Sequence, residues 1–103
     1  MRNMNDLVRQ AGVMQNKIAK MQQELGERTV EASSGGGMVK VVATCKQDIQ
    51  SITIAPAALE GGDVEMLQDL VLTAVNEAIR IGRATMEREI GAITGGIKLP
   101  GII

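Results

Sequence analysis

An α+β fold, two long helices enclosing a three-stranded antiparallel meander in the order αβββα, follows from three features of this 103-residue chain. Apolar residues step by three and four from Met4 to Leu25, the spacing of a helix. Three short runs between Thr29 and Ile54 are separated by turn residues and carry apolar side chains at period two. A broad apolar face then runs from Leu67 to Ile79, as on a helix lying on a sheet.

In the first helix, Met4, Leu7, Ala11, Met14, Ile18, Met21 and Leu25 form a heptad seam. Asn3 or Asn5 can cap its start, and Gly26 offers a stop. From Asn5 to Leu25 such a helix is about 31 Å long at 1.5 Å per residue, more than a small sheet can cover, so part of it should project. The remaining positions hold Asp6, Arg9, Gln10, Gln15, Asn16, Lys17, Lys20, Gln22, Gln23 and Glu24, for which a solvated face is the plain reading.

The meander is read as Thr29 to Ser34, Met38 to Cys45 and Ile49 to Ile54. Gly35-Gly36-Gly37 supplies the positive φ that a tight connection demands, Lys46-Gln47-Asp48 makes the second turn, and Pro56 ends the pairing. Val39, Val41, Ala43 and Cys45 fall on one face, as do Ile52 and Ile54, whereas Val42 and Ile49 break the alternation. A sheet apolar on one face and partly so on the other calls for cover from both helices or from a second copy. Cys45 is expected to be a small core residue, since a strand gives a thiol none of the activation of a helix N-terminus.

Before the second helix, Gly61-Gly62 leads to Asp63, a good N-cap, with Glu65 in the first turn. Leu67, Leu70, Val71, Ala74, Val75, Ala78 and Ile79 form its buried face. Beyond Arg80 the stripe thins at Gly82, Ala84 and Thr85 while Arg83, Glu87, Arg88 and Glu89 raise the charge, so this half is expected to be less buried. Met86, Ile90 and Ile93 can continue a seam against the first helix or a partner. Residues 94–103, with Gly95, Gly96 and Pro100, cannot sustain a helix and read as a flexible tail after a single domain of residues 1–93.

Composition narrows the function. The chain has no Phe, Tyr or Trp, so its core is built from aliphatic residues and seven Met, which favours stability shared across a subunit interface. A homodimer is expected, its seam drawn partly from the first helix, with Met14, Ile18, Met21 and Leu25, and partly from the sheet, with Val41 and Ile52. No His and a single Cys leave neither an imidazole base nor a thiolate zinc site, and neither Asp63 with Glu65 nor Glu87 with Glu89 has the spacing that puts both carboxylates on one helix face. The glycine triplet precedes a strand and not a helix N-terminus, so it is no phosphate cradle. An enzyme, a cofactor, a metal and a small-molecule substrate are therefore not expected. Neither a signal peptide nor a membrane span is read from the sequence, and the cytoplasm is the expected location. Net charge is −1, so bulk electrostatics do not announce a nucleic-acid partner.

Several segments together resemble the YbaB/EbfC family of nucleoid-associated proteins. These are Leu7 to Leu25 with Gln10-Ala11, Met14-Gln15 and Lys20-Met21-Gln22; Gly35 to Val41; Ile52-Thr53-Ile54-Ala55-Pro56; Glu65 to Val71; Ala74 to Ala78; Thr94-Gly95-Gly96; and Leu99-Pro100-Gly101. The resemblance implies a tweezer-like homodimer with projecting helices. It also implies binding to double-stranded DNA with little sequence specificity, in the nucleoid, with effects on its organisation and on gene expression. Arg9, Lys17 and Lys20 match basic positions of the family's first helix and Arg80 one of the second, with Arg83 a nearby addition. Absence of aromatic rings suits a duplex better than single strands, whose bases stack on them. Departures from the family pattern are Cys45, Gln47, Ala55, Gly61-Gly62, and the acids Glu87 and Glu89 in a region that relatives often make basic. The competing reading is a dimeric adaptor that docks a protein through its heptad helix.

Overall fold

The structure, a computed structural model, describes residues 4–94 and has the expected α+β order: α1 (Met4–Glu27), β1 (Thr29–Ser34), β2 (Val39–Thr44), β3 (Ile49–Ile54) and α2 (Val64–Thr94). The strands pair antiparallel in the order β1-β2-β3. α1 runs through Gly26 and closes where the Arg28 N–H donates to the Glu24 carbonyl. Of its two candidate caps, Asn3 lies outside the described residues, and Asn5 falls within the helix. Beyond Thr94, the expected tail also lies outside them.

Between β1 and β2, Gly35, Gly36 and Gly37 all take positive φ, at 61°, 67° and 96°. Gly35 is doubly constrained, because a Cβ there would lie 2.9 Å from Leu70 Cδ2. Ser34 secures the same corner by donating its hydroxyl to the Leu70 carbonyl at 2.6 Å. The β2–β3 turn is held by Thr44: its N–H donates to the Asp48 carbonyl at 2.8 Å, and its Oγ1 accepts from the Asp48 N–H at 3.2 Å. Gln47 reaches φ 72° in this turn, a conformation that normally belongs to glycine.

One face of the sheet carries the core. Val39, Val41 and Ala43 are fully buried and pack with Ala32, Ala74 and Ala78, while Val30, Leu67, Leu70, Val71, Val75 and Ile81 close the edges. The opposite face, with Glu31, Ser33, Lys40, Ser51 and Thr53, is exposed, and within the single chain α2 supplies most of the cover of the sheet, so of the two expected alternatives equal cover by both helices is not what the chain shows. The apparent break at Ile49 also has a backbone cause. A bulge at the Val42/Ala43 position pairs Val42 with Ser51 and Ala43 with Ile49, skipping Gln50. The skipped residue returns Ile49 to the face of Ile52 and Ile54. Cys45, just past β2, is buried as expected, and burial pushes its thiol pKa up.

α2 begins with the expected cap: Asp63 Oδ1 accepts from the Met66 N–H at 3.0 Å. Its C-terminal half is more deeply seated than the thinning stripe suggested. Gly82 is buried because the helix backbone rests on the sheet end, where a Cβ would meet the Thr44 carbonyl oxygen at 2.9 Å. Thr85 is buried with its hydroxyl donated to the Ile81 carbonyl at 2.8 Å, and Ile90 is buried beyond it. Small residues here permit close approach, which polarity counts on a sequence do not register. Met86, Ile90 and Ile93 continue the apolar line, and Ile93 lies against α1.

Candidate nucleic-acid interface

The α1 cations share a face because their spacing makes them do so. Lys17 and Lys20 are three residues apart, and Arg9 lies eight before Lys17, close to two turns and so on the same side. That side faces the end of α2. Arg9, Gln10, Val13, Met14 and Lys17 border one open cleft of about 360 Å³ with Ile93, and Lys17, Lys20, Met21 and Glu24 border an adjoining one of about 260 Å³ with the same Ile93. The site is an apolar floor with a cationic rim.

Pairing divides the five expected DNA-contacting cations. Arg9 sits 2.9 Å from Asp6 Oδ1, and Arg80 forks both its Nε and Nη2 onto the Glu77 carboxylate. The bond from Arg80 holds the Glu77 carboxyl below its usual range, and the same contact pushes the guanidinium further up. Arg83 donates to Gln47 Oε1 at 3.3 Å, which ties α2 to the β2–β3 turn. Lys17 and Lys20 make no ion pair among the described residues. Arg80 and Arg83 are not brought to the α1 cleft: Arg83 precedes Ile93 by ten residues, about 15 Å of helix. The structure thus presents two cation groups and not one.

Two further cations carry no sequence signal that marks them as DNA contacts. Arg88 and Lys46 are exposed and, like Lys17 and Lys20, make no ion pair among the described residues. Lys46 lays its stem over Gly26, where a Cβ would be 3.1 Å from its Cδ and Cε. Of the acids that seemed to oppose DNA, Glu89 is engaged by Arg28 at 3.6 Å, whereas Glu87 stands exposed. Lys40 pairs with Glu31 at 3.4 Å on the open sheet face.

The residues assigned to a subunit seam also divide. Ile18, Leu25 and Val41 are buried within the single chain, at 6%, 1% and 0% exposure, and have almost no surface left to give. Met21 is half-buried, while Met14 and Ile52 remain 37% and 45% exposed. Ile52, which the sequence reading did assign to the seam, belongs to a wider apolar surface that it missed. Ile49, Ile52 and Ile54 are 38–45% exposed on the α2 side of the sheet, and Leu67, Val71, Leu72 and Val75 line an open trough of about 390 Å³ on α2. The doubtful Ile49 was the signal that could have found it.

Among the described residues no helix is long and apolar enough to cross a membrane. The chain thus combines a three-stranded sheet clasped on one face with two helices that meet at a cation-rimmed cleft, and comparison with known proteins assigns it to a family. Residues 1–97 match the YbaB/EbfC DNA-binding family, and the chain belongs to that family. It is 54% identical to a nucleoid-associated protein of Moorella thermoacetica, over 98% of this chain and 97% of that one. It is 55% identical to another of Desulforamulus reducens, over 97% and 95%. Its fold is similar to the crystal structure of an uncharacterized Helicobacter pylori protein, with a TM-score of 0.79 at 19% identity, covering 92% of this chain and all of that one.

Proposed function

We propose that this protein binds double-stranded DNA as a homodimer, with little sequence preference, and acts in the nucleoid on its organisation and on gene expression. The observation that carries the reading is the α1 face, where Lys17 and Lys20 are exposed without a carboxylate partner among the described residues, beside Arg9. Each long cation neutralises a phosphate and reads no base, and two-fold symmetry doubles the set in a chain whose net charge is −1. Arg80 and Arg83 form a secondary set, Arg80 having first to leave Glu77. Dimerisation is assigned to the isoleucine stripe of β3 with the α2 trough, since a large contiguous apolar patch is rare on a protein that works as a monomer. Family membership and the nucleoid-associated names of the relatives support the same reading.

The test is a duplex titration at several salt concentrations. Removing one cation from its phosphate lowers the slope of log K against log salt by about 0.9, so Lys17→Ala/Lys20→Ala, counted in both subunits, lowers it by about 3.6. Affinity should fall by the same factor on unrelated duplexes. Arg28→Ala and Lys40→Ala, which remove paired cations, should change it less. An unchanged slope in the double variant, with the helical signal intact, removes α1 from the DNA site.

A further inference from the structure

The side of α1 that faces the end of α2 carries two strips. At about 100° per residue, Met14 and Met21 come first beyond the buried Ile18 and Leu25, Lys17 follows, and Val13, Lys20 and Arg9 lie further round. Ile93 of α2 borders both adjoining clefts from the other side. Together they form an open groove with an apolar floor and a cationic bank. Met14 and Val13 remain 37% and 49% exposed. Lys17 and Lys20 make no ion pair among the described residues, and Arg9 pairs with Asp6 at 2.9 Å. A duplex backbone needs only the cations, since phosphates and sugars give an apolar floor nothing to pack against.

We infer that this groove docks an acidic amphipathic helix of a protein partner, its apolar stripe on Met14, Met21 and Ile93 and its flanking carboxylates on Lys17, Lys20 and Arg9. Charge complementarity selects this occupant. A second copy of α1 would set Lys17 and Lys20 against their own counterparts, and like charges brought together oppose association. A neutral helix would cover the cations without pairing them. Length also fits: Arg9 to Lys20 spans eleven residues, about 17 Å, which matches anchors at i, i+4 and i+7 on a helix of about three turns. The unbranched methionines adapt their shape to incoming side chains. Glu24, at the Met21 end of the groove, repels carboxylates there and sets the partner's acids towards Arg9. Lys17 and Lys20 are shared with the proposed DNA contact, so partner and duplex exclude one another on α1, but the docking itself does not depend on DNA.

The test uses the full chain without DNA. The probe is a fluorescein-labelled peptide of about 15 residues with leucines at i, i+4, i+7 and i+11 and glutamates beside them, read by fluorescence polarisation. Its control is a scrambled peptide of the same composition, whose leucines no longer share a helix face. Docking predicts at least tenfold tighter binding of the amphipathic peptide than of the scrambled one. It also predicts at least a tenfold loss on Met14→Ser, recovered in Met14→Leu, and a similar loss on Lys17→Ala/Lys20→Ala, with the helical signal unchanged in all three. Equal affinity for the two peptides, which a groove occupied by a second copy or by the rest of the chain would give, overturns the proposal. So does full affinity in Met14→Ser, because charge alone would then explain the binding. Displacement of a labelled duplex by the unlabelled peptide tests the two readings apart: peptide that binds as predicted without displacing the duplex upholds the docking site and removes α1 from the DNA contact.

Discussion

β2 and β3 present the same face of one sheet and meet opposite fates. Val39, Val41 and Ala43 are fully buried, while their register partners Ile54, Ile52 and Ile49 remain 38–45% exposed. The isoleucines are the larger and more apolar side chains, so hydrophobicity does not decide the matter. α2 packs chiefly on β1 and β2, and what lies beyond it stays uncovered. Burial in the single chain is therefore set by where one helix lies, and the apolar surplus on β3 is surface available to a partner.

The most damaging substitution lies on β2, under α2. Val41→Asp puts an unpaired carboxylate beneath α2 and should cost about 4 kcal/mol or more, enough to unfold a small domain. Ile52→Asp, its register partner, should leave the helical signal of the single chain intact and shift the sedimenting species towards 10.9 kDa. Equal unfolding by both would mean that β3 is as much a part of the chain's own core as β2.

Two glycines on α2 differ in the same way, one against the sheet end and one free of it. Gly82→Ala drives a Cβ to 2.9 Å from the Thr44 carbonyl oxygen and should cost roughly 1–3 kcal/mol in chemical unfolding. Gly91→Ala meets nothing within 4 Å and should instead stabilise by about 1 kcal/mol through helix propensity. Smaller again is Gln47→Gly: relief of the φ 72° backbone should raise stability by about 1 kcal/mol, less what the hydrogen bond with Arg83 contributes. A fall in stability would make that hydrogen bond the more important of the two.

The sequence reading reached the element order, the buried face of β2, the Asp63 cap and the core position of Cys45, because each rests on local periodicity or local hydrogen-bonding chemistry. It went astray where the answer depended on another segment. Ile49 looked out of phase because a bulge skips Gln50, and a backbone irregularity leaves no mark in a count of alternating residues. Gly82 and Thr85 looked like the fading of a buried stripe, whereas they are small because the sheet end comes close. Along α1 the seam was legible, but which of its residues are buried in the chain and which are open was fixed by the end of α2 at Thr94. For the cations the types were evident, but not all of their partners: Lys20, with Glu24 one turn on, makes no ion pair among the described residues, and Arg83 reaches Gln47 on another element.

In the proposed assembly the isoleucine stripe joins two copies whose α1 cations grip one duplex together. Duplex binding by the wild type and by Ile52→Asp, measured from low to moderate salt with the oligomeric state followed in parallel, is the decisive comparison. The variant should sediment as a single folded chain, with a slope of log K against log salt about half that of the wild type, since the cations of only one subunit then meet phosphates. A folded monomer that keeps the full slope, or a variant that stays dimeric, would contradict that assembly.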